Sequence, residues 1–386
     1  MKKNKLDIYF DYAAATPTHP DVKSVMDPYW SDDFANAQSV HSYGKTAETA
    51  VSKARSTVAT TLSVQPSEIA FTSGATESNS LALLGSIRAA RNSTENPNII
   101  ISEVAHASVR NIGESHGREV EVIRAPVDGD GRLQPDEIHK LITDDTVLVS
   151  CEHANSEIGT IQPVSQIAEV VAAYREKGDG RYPLLHVDAS QTTVYQSVKP
   201  ESMNADLLTL NGQKMYGPKG VGVLWVRSGA PMSSLLISPT NRVVGDYQKI
   251  RPGTPPTPLV VGFAQALTWA QDNYQKRSGE VTALRDQLIA MLEEEFPDIQ
   301  INGSREYRIA NNVSVTFSNV DHDYLATKLD ARGIAVATTS ACQSGKQSGS
   351  AVLEHIQQDE AIRISLGIST TKDELEGFME VLVGIM

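Results

Sequence analysis

Leu184-Leu-His-Val-Asp188-Ala-Ser-Gln191 is a short apolar run that ends in a carboxylate. A second run, Asp206-Leu-Leu-Thr-Leu-Asn-Gly-Gln-Lys214-Met-Tyr-Gly-Pro-Lys-Gly220, is apolar until it reaches a lysine just past its end. Both apolar stretches are compact enough to be buried strands. Ile69-Ala-Phe-Thr72, Ile99-Ile-Ile101 and Val147-Leu-Val-Ser150 precede them, and Val221-Gly-Val-Leu-Trp-Val226 follows. Between these runs, Leu81 to Arg91 and Val164 to Lys177 carry apolar residues at helical spacing. Strand–helix alternation predicts an α/β fold with a mainly parallel sheet and helices on both faces. Ligands gather at the carboxyl ends of such strands, where Asp188 falls and the Asn211–Lys214 segment begins.

Beyond a Pro- and Gly-rich stretch from Ser238 to Pro258, Leu259 to Tyr274 and Ser278 to Glu295 read as amphipathic helices. Asn312–Phe317 reads as a strand, Tyr324–Arg332 as a helix and Ile362–Leu366 as a strand. A terminal helix starts at Lys372. These elements predict a smaller α+β domain. Residues 14–258 are expected to form the large domain, and 1–13 with 259–386 the small one. A chain of 386 residues is long enough for two cores.

Composition narrows the function. Hydrophobic content of 40% and charged content of 21% describe a soluble globular protein. A net charge of −13 argues against nucleic acid as the main partner, because phosphate backbones need clustered Lys and Arg. The lysine-bearing start Met1–Phe10 has no apolar signal region, and no stretch approaches the ~20 apolar residues of a membrane span. Two cysteines, Cys151 and Cys342, cannot build a disulfide framework, and no zinc spacing occurs. A cytoplasmic protein without a metal is expected. Asp128-Gly-Asp-Gly131 lacks the further acidic ligands of a calcium loop and reads as a turn. Gly217-Pro-Lys-Gly-Val-Gly222 precedes a strand rather than opening a helix, so it is not a dinucleotide fingerprint.

Asp188 and Lys214 together point to pyridoxal phosphate chemistry. That cofactor needs a lysine amine to hold its aldehyde, and a carboxylate to keep its pyridine nitrogen protonated. Either residue alone is usually structural; the spacing with its flanks carries the reading. Phe71-Thr-Ser-Gly-Ala-Thr-Glu-Ser-Asn79 runs from a strand through a small-residue turn into a helix. It either cradles a phosphate on free amides and the hydroxyls of Ser73 and Thr76, or is an ordinary helix start capped by one of them. His106, just past the strand Ile99–Ile101, either stacks on a cofactor and moves protons or serves as a cap or a satisfied core residue. Arg363, charged within an apolar strand, either pairs with an internal carboxylate or clamps a substrate carboxylate. Cys342 lies in a Ser/Gly/Thr-rich loop where a thiol can reach a substrate, whereas Cys151 ends an apolar run and reads as a buried structural thiol.

Taken in order, these motifs resemble the class V aminotransferase family and, within it, the cysteine desulfurases of the NifS/IscS type. The likeness runs from Ile8-Tyr-Phe-Asp-Tyr-Ala-Ala-Ala-Thr-Pro17 to Arg363-Ile-Ser-Leu-Gly367. It includes Asn36–Gly44, Thr72–Asn79, Glu103–His106, Asn155–Gly159, His186–Gln191, Arg251–Thr254 and Ser340–Cys342. The resemblance implies the type I pyridoxal phosphate fold and a homodimer with sites at its interface. It implies Lys214 as the aldehyde-binding lysine, Asp188 as the pyridine-nitrogen partner, Gln191 on the phenolic oxygen and His106 over the ring. Ala75 and Thr76, with Thr254 of the partner subunit, would hold phosphate, and Ser156, Asn211 and Gln213 would complete the cofactor site. Arg363 and Asn36 would bind the carboxylate of L-cysteine. Cys342 would take its sulfur as a persulfide and pass it to an acceptor or iron–sulfur scaffold protein, for iron–sulfur assembly or tRNA thiolation.

The chain departs from the family pattern in three places. Asn211-Gly-Gln213-Lys214 stands where Ser-x-His-Lys is usual, and Gln213 cannot shuttle protons as histidine does. Ser156 replaces the second Asn of Asn-Asn-Glu, and Val243-Val-Gly-Asp-Tyr-Gln248 replaces a glycine-rich Gln-Glu segment. Two other readings accommodate these changes: another pyridoxal phosphate enzyme (an aminotransferase, lyase or epimerase) with an incidental Cys342, or a weakly active sulfur carrier.

Overall fold

The structure is a computed structural model that describes residues 8–91, 93–117, 120–178, 180–237, 250–338 and 350–386. The first half contains β1 (Ile8–Tyr9), α1 (Pro20–Met26), α2 (Pro28–Ser31), α3 (Ser42–Leu62), β2 (Ile69–Thr72), α4 (Ala75–Ala90) and β3 (Asn98–Ser102). Next come α5 (Ala107–Arg110), α6 (Ile112–His116), β4 (Glu121–Ala125), α7 (Pro135–Leu141), β5 (Thr146–Glu152) and α8 (Val164–Arg175). The large sheet is completed by β6 (Leu184–Asp188), then α9 (Pro200–Met203), β7 (Leu207–Asn211) and β8 (Gly222–Val226). The remainder holds α10 (Thr257–Gln271), α11 (Tyr274–Glu295), β9 (Gln300–Ile301), β10 (Asn312–Thr316) and α12 (His322–Ala331). It ends with β11 (Ile334–Ala335), β12 (Ala337–Thr338), α13 (Ala351–His355), β13 (Ile362–Ser365) and α14 (Lys372–Ile385).

Seven strands form the large sheet in the order β2-β8-β7-β6-β5-β3-β4. The run from β4 through β3, β5 and β6 to β7 is parallel, while β8 lies antiparallel between β7 and β2. The expected α/β class and mainly parallel sheet are therefore what the chain adopts. Strands β3 and β5 are buried along their whole length, which suits their near-continuous apolar sequence. Helix α4 covers one face with Leu81, Leu83 and Ile87. On the other face α3 and α10 pack together, and Phe71 meets Phe263 edge-on at 6.1 Å.

A four-stranded antiparallel sheet, β12-β13-β10-β9, lies in the C-terminal part, with α12 and α14 packed together beside it. The N-terminal strand joins this part. Strand β1 pairs in parallel with β11, Phe10 N donates to Ala335 O at 2.8 Å, and Ser365 N donates to Phe10 O at 2.7 Å. Residues 8–11 are thereby stitched beside β13, and the chain then crosses to the carboxyl edge of the large sheet. Among the described residues, no helix is long and apolar enough to cross a membrane.

Candidate active site

Three strand ends and the crossing N-terminal segment build the site. After β7 ends at Asn211, a 3-10 turn over Gly212–Lys214 turns the lysine back over the sheet edge. The turn is tight against its neighbours: a Cβ on Gly212 would lie 2.7 Å from Pro218 O. Thr16 N and Oγ1 both donate to Gln213 O, at 2.9 and 3.0 Å, and Thr16 Oγ1 accepts from Tyr216 N at 2.7 Å. This clasp lays residues 13–14 over the lysine. Lys214 Nζ donates to the carbonyls of Ala13 and Ala14, the latter at 2.8 Å, and Gln191 Nε2 donates to Ala13 O at 3.1 Å. Lys214 and Gln191 thus meet on one oxygen.

Asp188 ends β6, between the ends of β5 and β7. Its Oδ1 accepts from Ser190 N at 3.0 Å and its Oδ2 from Asn79 Nδ2 at 2.8 Å. Asn79, fully buried on α4, also donates from Nδ2 to Ser108 Oγ at 2.9 Å. Ser108 Oγ lies 2.8 Å from His106 Nδ1, and Ser108 N donates to the same nitrogen at 3.1 Å. His106 is therefore a cap, on α5, and also a neighbour of Asp188 and Lys214. The imidazole keeps solvent-accessible surface, yet its pKa is lowered, first by the desolvating protein around it, then by Lys214 and Arg110 acting against Asp188.

Helix α4 begins beneath this group. Gly74, its N-cap, has φ +149°, a conformation that favours glycine, and Asn211 Oδ1 lies 3.9 Å from where its Cβ would be. Gly222 packs directly under it, since a Cβ there would meet Gly74 Cα at 2.8 Å. No side chain caps α4 in the ordinary way; instead Glu77 reaches back to accept from Ser73 N and pairs with Arg251 Nε at 3.0 Å. Burial opposes the Glu77 charge, but the bonds from Ser73 and Arg251 prevail and its pKa is lowered. Ala75 and Thr76 occupy the first turn, with Thr76 exposed. Thr254 is exposed three residues beyond Arg251. Gln38 Nε2, 3.5 Å from Gly253 O, brings the Asn36 loop beside that segment. Asn36 Oδ1 accepts from Gln38 N at 2.9 Å.

Arg363, on β13, donates from one terminal nitrogen to Asp11 Oδ1 at 2.7 Å and from the other to Ser156 O at 3.2 Å. Among the described residues its buried Nε has no hydrogen-bond partner. The sequence left two roles open for this arginine, and the internal carboxylate is present. The Ser156 turn is held by Asn155, whose Oδ1 accepts from Glu157 N and Ile158 N, and whose Nδ2 donates to Val104 O at 2.8 Å. Glu152 sits opposite Asp188 in the β5–β6 register; burial chiefly, with Asp188 adding to it, pushes its pKa up. Cys151 is buried and its thiol pKa is pushed well up by desolvation, so it stays a poor nucleophile. Cys342 and the Val243–Gln248 segment lie outside the described residues.

The donor set fits the cofactor expected from the sequence. Asp188 is an acceptor for a protonated ring nitrogen, Gln191 a donor for a phenolic oxygen, and Lys214 an amine for an aldehyde. The start of α4 offers backbone amides to a phosphate. Among the described residues, Ser190 Oγ, Asn79 Oδ1 and Arg363 Nε are buried without partners at this edge. Three participants had no role assigned from sequence. Asn79 and Asp11 stood inside the quoted motifs, while Ser108, two residues past His106, carried no signal of its own.

The profile described as "Aminotransferase class-V" matches residues 8–378. The chain is 36% identical to "Cysteine desulfurase IscS 1" of Archaeoglobus fulgidus, over 98% of this chain and 96% of that protein. It is 34% identical to "Cysteine desulfurase IscS" of Dictyoglomus turgidum, over 99% and 95%. A solved structure titled "NIFS-LIKE PROTEIN" superposes with a TM-score of 0.88 at 30% identity, covering 98% of this chain and 99% of that one. Another, "SspA in complex with cysteine", gives 0.78 at 30%, covering 94% and 100%.

Proposed function

The chain belongs to the class V aminotransferase family, and we infer that it is a pyridoxal-phosphate-dependent cysteine desulfurase, converting L-cysteine to L-alanine. One observation carries this reading. Lys214, Gln191 and Asp188 converge at one sheet edge in a chain similar over nearly its whole length to proteins called cysteine desulfurase.

When bound, pyridoxal phosphate supplies an electron sink for the amino acid's α-carbon. The chain's own residues do the rest. Lys214 Nζ, resting on the Ala13 and Ala14 carbonyls, is the amine that takes the aldehyde. Asp188, fixed by Ser190 N and Asn79, accepts from the ring nitrogen and keeps it protonated. Gln191 would donate to the phenolic oxygen, and His106 would lie over the ring and move protons beside it. The first turn of α4, with Ala75, Thr76 and Asn211, takes the phosphate, and Gln213 and Ser156 line the pocket. Arg363, whose Nε has no partner among the described residues, binds the substrate carboxylate with Asn36. Cys342 Sγ, as thiolate, bonds to the substrate sulfur while the Cβ–Sγ bond breaks. The electron pair stays on the carbon skeleton, which leaves as alanine after protonation, and the persulfide passes to an acceptor protein for iron–sulfur assembly.

A homodimer completes this reading. Trp30, Phe34, Val40 and Tyr43 expose apolar surface along one stretch of chain, Val40 to 89%, and the Asn36 loop within it touches the segment before Thr254. A second copy covering this surface would bring its Thr254 to the phosphate. Incubating the cofactor-loaded protein with L-cysteine should yield alanine and sulfur in equal amounts. Release of pyruvate, or transfer of the amino group, would replace this reading with a lyase or an aminotransferase.

A further inference from the structure

The four side chains from Asp188 to His106 form a hydrogen-bonded chain whose direction is set at one end by the carboxylate and at the other by the Ser108 backbone N–H. As a carboxylate, Asp188 only accepts, so the nitrogen of the Asn79 amide, not its oxygen, must face Oδ2 at 2.8 Å. The second hydrogen of that nitrogen goes to Ser108 Oγ at 2.9 Å. Having accepted there, Ser108 has its own hydroxyl hydrogen left for His106 Nδ1 at 2.8 Å. The Ser108 backbone N–H points at the same nitrogen from 3.1 Å. A ring nitrogen that accepts twice carries no proton. The neutral imidazole therefore holds its hydrogen on Nε2, the nitrogen remote from Ser108.

We propose that Asn79 and Ser108 are positioning residues that couple the orientation of Asp188 to the tautomer of His106, holding the histidine as an Nε2–H donor. The linkage spans 109 residues of sequence between Asn79 and Asp188, and joins α4, α5 with its His106 cap, and the end of β6. Both donors to Nδ1 favour the neutral ring. The charged groups that face the imidazole are Asp188, which favours its protonation, and Lys214 and Arg110, which oppose it. Removing a donor from Nδ1 must therefore raise the pH at which His106 takes up a proton. The arrangement belongs to the chain itself; only its use in turnover rests on the cofactor reading.

The test is long-range proton–nitrogen NMR of ¹⁵N-histidine-labelled protein, with and without pyridoxal phosphate, His106 being assigned by loss of its signals in His106→Gln. In the parent, His106 should be the Nε2–H tautomer both with and without cofactor. Ser108→Ala should raise its titration midpoint by about one pH unit, the effect of losing one ordinary hydrogen bond to the neutral form. Ser108→Thr, which keeps the hydroxyl, should restore the parent value. Asn79→Ala frees the Ser108 hydroxyl to turn and should raise the titration midpoint toward that of Ser108→Ala, while the Ser108 backbone N–H keeps the Nε2–H tautomer. An Nδ1–H tautomer in the parent, a measurement needing no destabilising variant, would overturn the proposal. So would a folded Ser108→Ala protein with the parent's tautomer and midpoint. A parent that shows the Nε2–H tautomer but never binds pyridoxal phosphate would keep this inference and remove the functional one.

Discussion

Lys214 and Gln191 donate to the same oxygen, the carbonyl of Ala13, although they follow different strands of the sheet. The shared acceptor comes from the N-terminal segment, which is clasped to the lysine's own turn through Thr16. The amine is thus held beside the group that would face the phenolic oxygen of the cofactor. Lys214→Ala should abolish the visible absorbance band of the bound cofactor together with all turnover. Absorbance of the purified variant after incubation with pyridoxal phosphate checks this, and borohydride reduction should fix the label on residue 214 of the parent alone.

Asp188→Asn keeps the shape of the side chain and removes its charge. The amide can still meet Ser190 N through its oxygen, but its nitrogen now faces Asn79 Nδ2 or the ring nitrogen. Cofactor binding should survive in weakened form while kcat falls by about 10²-fold or more, the scale of losing one preorganised electrostatic group. Titration with pyridoxal phosphate and steady-state kinetics separate the two effects.

Much of this edge was legible in the sequence because strands and their carboxyl ends leave a short-range mark. Asp188 and Lys214 each terminate or follow a compact apolar run, and both land where such runs predict. Helix α3 left a fainter mark. Its buried face mixes Ala47, Ala50, Ala54 and Ala59 with only three larger apolar residues, Val51, Val58 and Leu62, and the buried Arg55, so its apolar contrast is low. Strand β4 is a sheet edge with half-exposed residues and no continuous apolar run. The Asp188–Asn79 and Arg363–Asp11 contacts bring together residues 109 and 352 positions apart, which periodicity cannot register.

Acid should destabilise the protein through His186. This imidazole is fully buried between β5 and β7, with Nδ1 2.8 Å from Ser150 Oγ and Nε2 3.0 Å from Thr209 Oγ1. Desolvation lowers its pKa, against the pull of Asp188. The unfolded imidazole, near the reference of about 6.5, binds protons that the folded one refuses. Stability is therefore whole above that pH and falls as the pH drops toward the folded pKa, by up to about 1.4 kcal/mol per pH unit. Thermal unfolding midpoints between pH 7.5 and 5 measure the slope, and His186→Gln should reduce it, the remainder coming from His153, whose pKa burial also lowers to about 4.

Dimerisation should depend on the exposed apolar stretch of residues 30–43. Phe34→Glu combined with Val40→Glu places two charges on side chains that are 69% and 89% exposed in the single chain, so the fold itself should tolerate them. Sedimentation should then report a monomer where the parent is a dimer. On the proposed dimer, Thr254 of the partner subunit would no longer reach the phosphate, so the monomer should bind pyridoxal phosphate more weakly.

Cys342→Ala, set beside the parent in cofactor-loaded protein given L-cysteine, decides whether this chain is a desulfurase that works through a persulfide. Alanine is measured by amino-acid analysis and persulfide by intact mass. The parent should form one alanine per sulfur and carry the extra sulfur on Cys342. The variant should still change the visible spectrum on adding L-cysteine, yet form neither product. Alanine formed by Cys342→Ala at the parent rate would contradict the assignment.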